Sequence, residues 1–112
     1  MKKRAPLGKS FSERVVEIAL SIPKGRVSTY GRIARAAGAG PMASQSVTNI
    51  LGKAWMAGNK DIPFHRIVYA NGTIWVNESH RAKRMKLYKE EGIEVDKNNK
   101  IKNFEEKLFE FR

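Results

Sequence analysis

His65 and Arg66 stand side by side in the run Ile62-Pro63-Phe64-His65-Arg66-Ile67-Val68. An imidazole can donate, accept or carry a proton near neutral pH, and a guanidinium is a permanent cation with a planar fork of donors. Apolar residues enclosing two nitrogen-rich side chains read as a buried strand that carries a polar network into a site. His65 with a distant carboxylate such as Glu91 could form a hydrolytic or nucleophilic pair, but no serine, threonine or lysine is placed by motif to be its nucleophile. Thiolate chemistry is excluded outright, because the chain has no cysteine. The same fact removes any disulfide framework or thiolate metal site, and two histidines far apart in sequence, His65 and His80, do not make a metal cluster. Neither a metal nor a cofactor is expected.

The chemistry in reach is therefore recognition, and the charge says of what. A net charge of +11 and a pI near 10.2 attract polyanions before any specific contact forms. Nucleic acid is the leading partner. An anionic membrane surface competes, but the basic residues are scattered along the chain rather than gathered on one amphipathic helix or beside an apolar span. With 112 residues, 41% hydrophobic and 29% charged, the chain suits one small domain at 10–112 behind a basic arm at 1–9. No apolar run follows Met1-Lys2-Lys3-Arg4, so a secretory signal is not expected and a soluble intracellular location is: cytoplasmic and nucleoid-associated, or nuclear in a eukaryote.

The positioning elements follow from periodicity and punctuation. Phe11, Val15, Ile18, Ala19 and Ile22 recur at helical spacing behind Ser10 or Ser12 and stop before Pro23. Ser28 is a good cap for a second helix from Thr29 to Ala37 that ends at Gly38. After Gly38-Ala39-Gly40-Pro41, a third helix from Ala43 to Trp55 sets Ala43, Val47, Ile50, Leu51 and Ala54 on an apolar face, opposite Ser44, Gln45, Thr48, Asn49 and Lys53. Two short helices with a glycine-containing turn read as a helix-turn-helix. Asn71-Gly72 between Ile67-Val68-Tyr69 and Thr73-Ile74-Trp75 signals a hairpin. A basic fourth helix runs from Ser79 or His80 to Glu91 and closes at Gly92; Ile93-Glu94-Val95 suggests a short strand, and Asn103 with Glu106 suggests a capped final helix. The expected fold class is mainly α with a small β-hairpin, of winged helix-turn-helix type.

The order Ile22-Pro23-Lys24-Gly25-Arg26-Val27-Ser28-Thr29-Tyr30-Gly31, Ile33-Ala34, Gly38, Pro41, Val47 and Pro63-Phe64-His65-Arg66-Ile67-Val68 resembles the DNA-binding domain of O6-alkylguanine-DNA alkyltransferases over about Phe11 to Val95. Phe64 stands where the family's reactive cysteine would be. That aromatic, the Asn71-Gly72 turn and Glu91-Gly92-Ile93 look more like the alkyltransferase-like branch, which keeps the lesion-binding fold and repairs nothing itself.

The resemblance implies a set of roles. Tyr30 would press on the phosphate beside the target and help rotate the base out of the stack, or else simply pack at its helix start. Gln45 takes the place of the arginine that fills the gap left by the flipped base, and it can hydrogen-bond an orphaned base edge but supplies no cation. Phe64 would floor a lesion pocket lined with Tyr30, His65, Arg66 and Trp75, or be core. Asn59, His65 and Glu91 would form a hydrogen-bonded brace. Trp55 reads as a core or hinge residue. Arg26, Ser28, Thr29, Tyr30, Arg32, Ser44, Gln45, Ser46, Thr48, Asn49 and Lys53 are the candidate DNA contacts. The implied function is a monomeric, non-enzymatic sensor that binds double-stranded DNA, flips O6-alkylguanine and flags it for nucleotide excision repair proteins. A helix-turn-helix transcriptional regulator of undamaged DNA is the alternative.

Overall fold

Ser10 opens helix α1, Phe11–Leu20, with a complete capping box: its hydroxyl accepts from the Glu13 amide at 3.1 Å, and the Glu13 carboxylate accepts from the Ser10 amide at 2.9 Å. The computed structural model of the protein describes residues 10–111, so the basic arm lies outside the described residues. Strand β1 is Ser28–Thr29, and α2 is Tyr30–Ala36. The cap of α2 is Thr29 rather than Ser28: the Thr29 hydroxyl accepts from the Arg32 amide at 3.1 Å, while Ser28 is fully buried. Gly38, at φ +100°, and a 3-10 turn at Pro41–Ala43 lead into α3, Ser44–Met56.

Three helices close one core. Val15 and Ala19 of α1, Ile33 and Ala34 of α2, and Val47 and Leu51 of α3 are buried together with Ile22, Ile62 and Ile67. Ala43, Ile50 and Ala54 pack against them, so the expected apolar face of α3 is the one turned inward. A second cluster, Val27, Val68, Ile74, Tyr88, Ile93 and Ile101, lies under the rest of the chain.

The central run is not a strand throughout. Phe64–Arg66 form a 3-10 turn, and only Ile67–Val68 are strand β2. The short turn lets the side chains of 64, 65 and 66 leave in three directions, where a strand would have alternated them between two faces. β2 pairs in parallel with β1, Ser28 beside Ile67 and Thr29 beside Val68.

The expected hairpin closes without a ladder of its own. Gly72 N–H donates to the Tyr69 carbonyl and Tyr69 N–H to the Thr73 carbonyl, with Gly72 at φ +88°, a three-residue loop with a glycine bulge. Beyond the turn Thr73 pairs antiparallel with Lys100, and Ile74 donates to the Asn99 carbonyl. The residues that follow helix α4, Arg81–Glu90, thus supply the partner that Ile67-Val68-Tyr69 was expected to supply. Val95 forms a bridge with Ile101 instead of a longer strand.

Asn103 does not cap the last helix, α5 (Phe104–Lys107), with its side chain; it turns the chain in the left-handed region at φ 55°. Past α5, Val27 exchanges bonds with Lys107 and Phe109, and Phe109 and Phe111 pack on the three-helix core. The chain end therefore flanks β1 on the side away from β2.

Candidate functional site

Glu91, just past the last residue of α4, ties the 3-10 turn to the body of the protein. Its carboxylate accepts from Arg66 Nη2 at 2.7 Å and Nε at 3.0 and 3.2 Å, from His65 Nε2 at 2.7 Å, and from the Gly25 amide at 3.1 Å. Arg66 Nη1 reaches on to the Ile22 carbonyl at 2.9 Å. Burial alone would raise the Glu91 pKa; the bonds from Arg66, His65 and Gly25 overcome it and bring the value to about 2. Burial lowers that of His65 against the pull of Glu91, with the Arg66 and Arg84 cations acting in the same sense as burial. A neutral imidazole facing an ionised carboxylate carries its proton on Nε2, which leaves Nδ1 as an acceptor.

The structure joins His65 to Glu91 and makes Arg66 the third member. Asn59 is elsewhere: it lines a groove between α1 and α3, and its amide donates to the Ala54 carbonyl. Arg66 brings two donating nitrogens, Nε and Nη2, to the carboxylate.

In front of this brace lies a cleft of about 590 Å³. Tyr30, the first residue of α2, Phe64 and His65 of the 3-10 turn, and Trp75 of the loop beyond the hairpin all line it. Arg66 does not; it stays behind with Glu91. Tyr30 stands 6.3 Å from Tyr69 between ring centres, and burial, with help from Tyr69, raises its pKa against the nearby Arg84. Trp75 is 46% exposed at the mouth.

Sequence reasoning missed most of the wall. Trp55 was expected in the core or at a hinge, yet it lines the cleft with Phe64 edge-on at 5.5 Å and the Lys60 ammonium 4.6 Å from its ring centre. Met56 extends the lip and is 81% exposed. Along α4, His80, Lys83, Arg84 and Leu87 form the opposite side. Their i, i+3, i+4, i+7 spacing is a helical stripe, legible in sequence once the helix is known to face a cleft.

The candidate DNA contacts divide by burial. Gln45, Ser46, Thr48, Asn49 and Lys53 are exposed on α3, whose Gly52 and Met56 reach the cleft mouth. Arg32 and Ser44 are half-buried. Ser28 and Thr29 are buried and cannot meet a ligand with their side chains, the first fully enclosed in β1 and the second capping α2. Arg26 is exposed, but its Nη1 donates to the Glu106 carbonyl at 2.6 Å and so pins the chain end. Among the described residues no group of three or more histidines and carboxylates could hold a metal, and no helix is long and apolar enough to cross a membrane.

Residues 10–93 match the family described as 6-O-methylguanine DNA methyltransferase, DNA binding domain. A DNA base-flipping protein of Escherichia coli K12 is 33% identical over 92 residues, 82% of this chain and 69% of that protein. Alkyltransferase-like protein 1 of Schizosaccharomyces pombe is 32% identical over 90 residues, 76% of this chain and 78% of that one. A crystal structure of the S. pombe protein with damaged DNA containing O6-carboxymethylguanine superposes with a TM-score of 0.70 at 27% identity, covering 90% of this chain and 95% of that one. The O6-methylguanine methyltransferase of Mycobacterium tuberculosis gives 0.56 at 29% identity, over 76% of this chain and 50% of that enzyme.

Proposed function

The chain belongs to the family of the 6-O-methylguanine DNA methyltransferase DNA-binding domain, and on that premise we propose that it binds duplex DNA and holds an extruded O6-alkylguanine in the cleft without removing the adduct. One observation carries the reading: an aromatic cleft with a braced histidine behind it belongs to a chain that has no sulfur nucleophile. Phe64 takes the nucleophile's position, and its ring offers an apolar floor where a thiolate would react. A solved relative bound to damaged DNA, and a further structure bound to DNA, support the same direction.

Each part follows from the geometry. Extruding a base costs roughly a few kcal/mol of stacking and pairing. Tyr30, at the cleft edge on the first turn of α2, pushes from the phosphate side, and Gln45 at the start of exposed α3 bonds the orphaned partner base. The flipped purine stacks on Phe64 and meets Trp75 at the mouth, each stacked face worth about 1–3 kcal/mol. The brace keeps the floor rigid, so little ordering is required on binding. The protein acts as a monomer and leaves the adduct in place, and the marked duplex is a substrate for nucleotide excision repair.

Fluorescence anisotropy at fixed salt tests this, with one duplex carrying a single O6-methylguanine and the same duplex with guanine. The lesion should bind at least about tenfold tighter, a difference of roughly 1.4 kcal/mol, with Tyr30→Ala and Phe64→Ala each erasing most of it and no methyl lost from the DNA. Equal affinities for the two duplexes would reject a lesion sensor and favour a regulator of undamaged sites.

A further inference from the structure

The cleft is apolar on the Phe64 side and cationic on the α4 side. His80, Lys83 and Arg84 line that wall, and none of the lining residues is acidic. Glu91, behind His65, is committed to Arg66, His65 and the Gly25 amide. Arg84 is half-buried, and among the described residues it makes no ion pair. It is nonetheless held: Nη1 donates to the Trp75 carbonyl at 3.2 Å, and the guanidinium carbon lies 6.0 Å from the Trp75 ring centre. Arg84 lines the cleft together with Tyr30 and His65, and its charge acts on both. The buried Tyr88 hydroxyl lies within reach of that guanidinium, which opposes the rise in its pKa that burial causes.

A half-buried guanidinium that no carboxylate among the described residues neutralises is suited to a planar anion, which a guanidinium fork can grip with two parallel bonds. A volume of about 590 Å³ also exceeds what a purine with one methyl group fills. Resting on the reading that an alkylated guanine enters this cleft, we propose that Arg84, with Lys83 and His80 beside it, forms a subsite for the anionic end of a carboxylated O6 adduct. The same chemistry would suit a DNA phosphate, but the exposed cations Arg81, Lys86 and Lys89 lie off the cleft, whereas Arg84 is half-buried in its wall. Binding of a carboxylate there needs no movement of the brace, because Arg66 and not Arg84 holds Glu91.

The test compares wild-type protein, Arg84→Gln and Arg84→Lys on four duplexes that differ only at one base: guanine, O6-methylguanine, O6-carboxymethylguanine and its neutral near-isostere O6-carbamoylmethylguanine. Wild type should bind the carboxymethyl duplex about tenfold tighter than the carbamoylmethyl one. Arg84→Gln should bring that ratio to about one, and Arg84→Lys should retain part of it. Thermal unfolding confirms that each variant is folded, and the wild-type ratio alone decides the charge preference if a variant is not. A wild-type ratio near one would overturn the proposal, as would an equal loss on all four duplexes in Arg84→Gln, the mark of a phosphate contact. No preference for O6-methylguanine over guanine in wild type would instead overturn the underlying reading of the cleft, and this subsite with it.

Discussion

Four donors, from Arg66 Nε and Nη2, His65 Nε2 and the Gly25 amide, converge on a Glu91 side chain that is 7% exposed. Removing the charge from such a centre leaves the Arg66 guanidinium, itself 14% exposed, facing a neutral acceptor. Glu91→Gln should destabilise the protein by about 3 kcal/mol, read as a lower urea midpoint with an unchanged slope. The pH dependence has two stages of the same sign. Glu91 has its folded pKa depressed from 4.5 to about 2, so its contribution is present above pH 4.5 and is lost as pH falls toward 2. His65 also has a lowered folded pKa, so below about pH 6.5 the unfolded chain takes up its proton first and stability falls. Urea midpoints measured from pH 8 to pH 3 should therefore decline in both windows, and His65→Gln should flatten the upper one. A wild-type midpoint that rises on acidification from pH 7 would contradict the His65 assignment, and one that does not fall below pH 4.5 would contradict that of Glu91.

At the level of elements, Gly72 decides how the chain end holds the turn before Trp75. Its φ of +88° is a left-handed geometry, and a Cβ there would sit 2.9 Å from Phe104 Cγ. Its carbonyl also accepts from the Ile101 amide at 3.0 Å. Gly72→Ala should cost about 2 kcal/mol and lower Tm by about 10 °C. Amide exchange should accelerate most at Ile74 and Ile101, which join the turn to the chain end, and least at Val47 and Leu51 in the three-helix core. Uniform acceleration would mean that the segment is not a separable unit. The same turn marks what was legible beforehand. Asn71-Gly72 announces a reversal, and the helical stripes of α1 to α3 give their inward faces, because those signals are local. The partner of Thr73 and Ile74 is some 25 residues away and carries no signature of pairing. Ser28 was misread as the cap because both Ser28 and Thr29 suit the role, and only the packing of β1 against β2 chooses between them. Phe64 and Tyr30 were placed by motif; Trp55 and Arg84 were not, because a cleft wall formed by facing helices depends on how those helices dock.

Over the whole molecule, +11 of net charge and an apolar cleft act on different parts of binding. The charge draws any duplex, and each phosphate neutralised releases counterions, so log affinity falls with log salt at a slope of roughly −0.9 per phosphate contacted. Lesion recognition as proposed comes from stacking and shape inside the cleft, and a methyl group carries no charge. The affinities for the guanine and O6-methylguanine duplexes should therefore fall steeply and in parallel between about 50 and 200 mM salt, leaving their ratio nearly constant. Lys53→Ala, on the exposed face of α3, should reduce both slopes by about one without changing that ratio. Phe64→Ala should do the reverse, lowering the ratio and leaving the slopes alone. If the ratio itself collapses as salt rises, discrimination depends on the basic surface rather than on the aromatic floor, and Phe64 is then only a core residue that happens to reach the cleft.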